Sequence, residues 1–161
     1  MLFGSCRTVS SPPEASPERA ATPTLALSPG KSIGLRKSER VPKCIIEKIN
    51  DTWSPQIKQP VPVPYGQSVT VTGWAVDEER RSVAGGVDVV VDGMPYRARY
   101  GLARDDVAAY LGFPGCKNSG FTLTVPPSKL VEKGLHHVAL RVLANDGTFF
   151  YNSAALAIEL R

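Results

Sequence analysis

The side chains best suited to chemistry fall into a few groups, and each also has a plain structural use. Trp74, Tyr96, Tyr100 and Tyr110 could stack on a sugar ring if they shared one exposed face. The competing use of Trp74 is to fill the interior between two sheets, where a buried indole contributes several kcal/mol. Arg104 and Asp105 could grip a charged ligand as an ion pair. The simpler reading has Asp105 or Asp106 capping a short helix while Arg104 pairs with a carboxylate across the loop. His136 and His137 are adjacent on an expected strand, so their rings point to opposite faces and cannot readily share a metal. His136 has the parity of Val138 and Leu140, which predicts a place at the rim of the core with a bond to a backbone group.

No enzymatic constellation assembles from the remainder. Ser119 lacks the Gly-x-Ser-x-Gly frame and the following helix of a nucleophile elbow. Glu78 and Glu79, followed by Arg80 and Arg81, read as a solvated loop. Gly85-Gly86 lacks the lysine and helix of a phosphate loop, and Cys44 and Cys116 form no CxxC pair. We therefore expect no catalytic residue, metal or cofactor. Cys6, Cys44 and Cys116 permit one bridge at most. An oxidising compartment would join Cys44 to Cys116 and leave Cys6 free, whereas a reducing one would leave two partly buried thiols.

These residues must be positioned by short β-rich runs that begin after residue 43, each bounded by Gly, Pro, Asn or Asp. Cys44–Ile49 ends at Asn50-Asp51. The proline-rich stretch 60–64 suits only an edge or a connection. In Ser68–Val76, Val69 and Val71 alternate with Thr70 and Thr72, and a bulge at Gly73 would rotate Trp74 toward the core. Gly86–Val91 and Met94–Tyr100 flank Asp92-Gly93, whose positive φ values suit a type I′ hairpin. Phe121, Leu123 and Val125 alternate with threonines, and Val138, Leu140 and Val142 repeat the pattern. Asp146-Gly147 turns the chain into Thr148–Asn152, and Leu156, Ile158 and Leu160 close the set. Only Arg104–Leu111 reads as a helix, with a single turn near Pro127–Lys133. The expected fold over 43–161 is an all-β, immunoglobulin-like antiparallel sandwich of about seven strands with one short helix.

Residues 1–42 differ in texture. Positions 7–42 hold prolines at 12, 13, 17, 23, 29 and 42 among Ser, Ala, Thr and Glu, which predicts a disordered tether. Residues 1–43 also hold seven of the 19 basic side chains and three of the 15 acidic ones, so the net charge of +4 resides there. Residues 44–161 are then electrically neutral, which argues against a nucleic-acid partner. No apolar run is long enough to cross a membrane as a helix.

Several segments in order resemble a family of bacterial extracytoplasmic immunoglobulin-like accessory domains. They are Gly73-Trp74-Ala75-Val76-Asp77, Val89-Val90-Val91-Asp92-Gly93, Tyr100-Gly101-Leu102-Ala103-Arg104-Asp105-Asp106-Val107-Ala108, Ser119-Gly120-Phe121, Gly134-Leu135-His136 and Asp146-Gly147. Asp106 stands where the family commonly has proline. The resemblance implies structural duties for Asp92, Gly93, Asp105, Phe121, His136, Asp146 and Gly147, and an exported or surface location. Separately, Leu2-Phe3-Gly4-Ser5-Cys6 is similar to the end of a bacterial lipoprotein signal. That implies lipid on Cys6, with the charged and apolar parts of the signal lying upstream of Met1. The functional expectation is a non-catalytic structural or protein-interaction module of the cell envelope, in the periplasm, on the outer membrane or at the surface. The alternative is an envelope carbohydrate-binding module that uses exposed aromatics.

Overall fold

The computed structural model describes residues 27–161. The chain forms a β-sandwich of two sheets, antiparallel for the most part. Its strands are β1 (Arg36–Ser38), β2 (Lys43–Ile49), β3 (Thr52–Trp53), β4 (Val61–Val63), β5 (Val69–Asp77), β6 (Ser82–Val83) and β7 (Gly86–Val91). They continue with β8 (Met94–Arg97), β9 (Arg99–Leu102), β10 (Gly120–Val125), β11 (Gly134–Leu143), β12 (Phe149–Asn152) and β13 (Leu156–Leu160). Among the described residues the one α-helix is α1 (Asp105–Leu111), and 3₁₀ turns cover Pro114–Cys116 and Pro127–Lys129. Among the described residues there are thirteen strands, the expected ones plus edge pieces of two or three residues. Segments that short cannot display a period-two pattern.

Sheet A contains β1, β12, β11, β13 and β4, with the β7–β8 hairpin paired to the other side of β11. Sheet B runs β3-β2-β5-β10-β9, with β6 added to the end of β5. All pairings are antiparallel except β1 with β12 and β13 with β4. The inner faces supply the core: Val69, Val71 and Phe121 of sheet B lie in one apolar cluster with Val87, Val89, Leu140 and Ile158 of sheet A. Each is nearly or fully buried, so truncating Phe121 to alanine costs about 3–5 kcal/mol.

Two turns anticipated from the sequence take the expected form. Asp92 and Gly93 have φ of 48° and 83° and join β7 to β8 in a two-residue hairpin, with Val91 opposite Met94. Gly147 has φ of 72° and donates its N–H to the Ala144 carbonyl at 2.8 Å. Asp146 closes this turn by accepting from the Thr148 N–H and hydroxyl. Arg80 bridges Asp146 to the fully buried Asp77.

The bulge expected in β5 at Gly73 does not lie on that strand: Gly73 faces Phe121 in continuous register on the β10 side, and pairs with Ile46 on the β2 side at the last position before a register shift. The irregularity belongs to β2, between Ile46 and Lys48, which makes Glu47 the extra residue. Gly73 is required for a different reason: a Cβ there would lie 2.0 Å from the Ile45 carbonyl oxygen.

The segment expected to be tether up to residue 42 also departs from that reading, because its last part is built onto sheet A. Arg97 donates its N–H to the Ser28 carbonyl, Gly30 donates to the Pro95 carbonyl, and Pro29 faces Tyr96 across the edge of β8. Val87, Val89 and Val91 point into the core, so Asp88 and Val90 point outward. The outward Asp88 carboxylate is nonetheless fully buried, because it accepts the Lys31 N–H at 2.9 Å and the Ser32 N–H at 2.6 Å. The chain thus straps across the outer face of sheet A and rejoins it as β1 beside β12.

Candidate functional site

The structure scatters the four aromatic residues that the sequence offered as a stacking platform. Strict alternation along β5 sends Val69, Val71 and Ala75 inward and Trp74 and Val76 outward. Trp74 is buried at 4 % exposure, but under α1 rather than between the sheets. It packs in a second small core with Val76, Val107 and Cys116, flanked by Leu111 and Phe113. Tyr100 faces the interior, donates its hydroxyl proton to the Ala75 carbonyl at 2.7 Å and accepts the Ala84 N–H at 2.9 Å. Burial pushes this phenol well above its ordinary range. Tyr96 is half-buried against the main core, and Tyr110 stands out from α1 at 79 % exposure.

Arg104 holds the helix to the sheet. Its guanidinium donates to both oxygens of Glu47, at 2.6 and 2.9 Å, and to both oxygens of Asp106, at 2.8 and 2.7 Å. The β2 bulge adds Glu47 to the strand, and its carboxylate meets this cluster. The hydrogen bonds that Arg104 donates to Asp106 and then to Glu47 raise its pKa further above its already high value. Reciprocally, the Arg104 hydrogen bond lowers Asp106 to about 2. Arg104 occupies the position before the first helical residue without a side-chain cap. Of the two acids in the first helical turn, Asp106 engages Arg104, whereas Asp105 makes no side-chain hydrogen bond among the described residues. With four of its N–H groups engaged internally, Arg104 has little left to offer a ligand.

His136 is buried at the rim of sheet A. Its Nε2 lies 2.9 Å from the Glu132 carbonyl and its Nδ1 lies 2.6 Å from Asp92 Oδ2. The other Asp92 oxygen accepts the His137 N–H. Both ring nitrogens therefore face acceptors, an arrangement that suits the imidazolium. Burial alone lowers the His136 pKa, yet the bonds to Asp92 and Glu132 outweigh it and the net shift is upward. Burial would raise Asp92, but the His137 and His136 hydrogen bonds bring it below its usual value. The histidine thus latches the β7–β8 hairpin tip to β11, while His137 faces solvent.

Cys44 and Cys116 are both free, so the bridge between them is not formed. The reason is topological. Cys44 sits opposite Ala75 and packs against the core between the sheets, whereas Cys116 packs with Trp74 on the far face of sheet B. Burial pushes the Cys44 thiol up to about 12 and also raises Cys116, which makes both poor nucleophiles. Cys6 lies outside the described residues.

One exposed apolar feature lies outside the residues the sequence singles out. β3 pairs only with Lys48 and Ile49, so the Lys43–Ile46 half of β2 is a bare sheet edge among the described residues. Beside it runs an apolar groove of about 210 Å³, lined by Cys44, Ile45, Ile46, Pro55, Ile57 and Leu156. Ile45 and Ile57 are 48 % and 63 % exposed, and Trp53, at 68 %, lies nearby on β3. The sequence carried one signal for this site. Ile45 and Ile46 are consecutive in a strand, so one of them must face away from the core.

Among the described residues no helix is long and apolar enough to cross a membrane. No protein-family model matches the chain, and no curated protein matches it either.

Proposed function

We propose that this chain is a non-catalytic, immunoglobulin-like interaction module of the bacterial cell envelope, and that it recognises an extended segment of a protein partner along the open edge of β2. One observation carries the reading: an unpaired sheet edge at Lys43–Ile46 lies directly beside an exposed apolar groove. An added strand would gain main-chain hydrogen bonds from the edge, and its alternate apolar side chains would fill the groove at Ile45 and Ile57. A catalytic role gains no support from the polar side chains, since Arg104 spends its hydrogen bonds on Glu47 and Asp106, and His136, Asp92 and Tyr100 spend theirs on one another and on the backbone. The envelope location rests on the resemblance of residues 73–147 to extracytoplasmic modules and on the lipid-signal likeness ending at Cys6.

Selection from a displayed library of linear peptides tests this. Binders should show apolar residues at alternate positions, and Ile45→Glu or Ile57→Glu should weaken them about tenfold or more. Binders indifferent to both substitutions would remove the proposal. The carbohydrate alternative would have to use exposed rings such as Trp53 and Tyr110, since Trp74 and the Tyr100 hydroxyl are engaged inside the fold. A glycan array probed with the wild-type chain and with Trp53→Ala separates the two readings.

A further inference from the structure

The strap on sheet A is bound in the manner of a ligand, and its grip is largely on main chain. Asp88 takes two successive backbone N–H groups, of Lys31 and Ser32, in a fully buried site. The edge of β8 takes the Ser28 carbonyl and the Gly30 N–H. Gly30 fits because it has no side chain: a Cβ would fall 2.6 Å from an Asp88 oxygen and 2.7 Å from the Pro95 Cβ. Arg141, opposite Asp88 on β11, lies over the Phe150 ring and reaches the Ser32 hydroxyl at 3.4 Å. Ser32 is 1 % exposed, so the slot closes around it. The far end of the strap, β1, adds a parallel edge strand to β12.

Only four residues, 39–42, then separate this arm from β2 in the other sheet. Val41 in this link is 84 % exposed. It precedes Pro42, which disfavours a helical turn at Val41 and biases the link toward an extended conformation. The ion pair the link makes among the described residues is Arg40 with Glu79, both partly exposed, and every contact the arm makes at home can be made unchanged on another copy of the same chain.

We infer that a second copy of this chain is a partner for the Asp88 slot: two copies exchange residues 28–38 reciprocally, each arm occupying the other copy's slot, to form a twofold-symmetric dimer. This contact lies on sheet A and is independent of the β2 edge on sheet B. An anchor that reads backbone amides and a glycine accepts the identical segment of any copy, whereas few other sequences present Gly-x-Ser after a proline in this conformation. The exchanged dimer differs from the monomer mainly in the link and in the entropy of association, so link length controls the balance.

The test uses the full chain. Deleting Arg40 and Val41 shortens the reach of the arm by about 7 Å, which hinders folding back on its own sheet but not onto a neighbour. Sedimentation equilibrium should show dimerisation at least about tenfold tighter than that of the wild-type chain. Adding Asp88→Asn, whose amide nitrogen would face a backbone donor, should reverse most of that gain. Wild-type chains labelled heavy and light and incubated together at high concentration should yield mixed dimers in native mass spectrometry. A shortened chain that stays monomeric overturns the inference. So does a dimer indifferent to Asp88→Asn, and so does a wild-type mixture that forms no mixed dimers.

Discussion

Gly73→Ala tests whether the close approach of β2 and β5 holds the sandwich edge together. The added methyl would stand 2.0 Å from the Ile45 carbonyl oxygen, where a normal contact needs at least 3.0 Å, so the two backbones must part by about 1 Å. A ladder bond near 2.9 Å stretched by that amount is no longer a hydrogen bond. Losing about two flanking bonds at about 1 kcal/mol each, with about 1–3 kcal/mol of overpacking, gives a loss of about 3–5 kcal/mol. That is a large part of the stability of about 5–15 kcal/mol usual for a domain. Urea unfolding followed by tryptophan fluorescence measures it. Gly66→Ala is the control, since Gly66 has φ of +82° with open space around it and should lose only about 1–2 kcal/mol. If Gly73→Ala unfolds within about 1 kcal/mol of the wild type, the assigned role of this glycine is wrong. The same variant should weaken peptide binding, because the displaced strand is the one that carries the open edge.

The His136–Asp92 latch makes stability depend on pH in a definite direction. The folded-state pKa of His136 is raised, so its contribution is complete below about pH 6.5 and fades as pH rises through the folded value; Asp92 is lowered, so its share is present above the ordinary carboxylate range and is lost on acidification. Melting temperatures from pH 5 to 9 should fall at the alkaline end for the wild type, and His136→Gln should flatten that limb. Arg104→Gln should leave Glu47 half-buried without its partner and cost about 1–3 kcal/mol, with increased acrylamide quenching of Trp74 as α1 loosens. In the native chain, Cys44 and Cys116 should resist iodoacetamide near pH 8 and label fully in urea, and mass mapping after mild oxidation should find no bond between them.

The sequence conveyed the inner faces of the sandwich well, because Val69, Val71, Phe121, Leu123 and Leu140 follow the two-residue period that burial on one side imposes. Asp92-Gly93 was equally legible, since few dipeptides suit two positive φ values in succession. Trp74 was placed on the wrong side of its sheet. An unbroken alternation assigns it outward, and an outward indole is buried only because the short helix expected at 104–111 packs over β5, a long-range contact that local periodicity does not show. Gly73 misled for the same reason: what it accommodates is a carbonyl from a strand 28 residues earlier, and local reading has no access to such a contact. The strap escaped notice because its bonds are mostly to main chain and leave little trace in side-chain pattern. A hint did exist in β7, whose residues are buried on both faces although one of them is an aspartate.

β5 belongs to two interiors at once. Ala75 lies against the space between the sheets and Trp74 and Val76 against the layer beneath α1, while β2 and β10 bracket the strand on either side. Solvent can reach its amides only after both layers have come apart. Amide hydrogens from Gly73 to Val76 should therefore be among the slowest to exchange with deuterium, at rates set by global unfolding. The helical cover would then melt together with the sandwich as a single cooperative unit, rather than fray from it as an appendage.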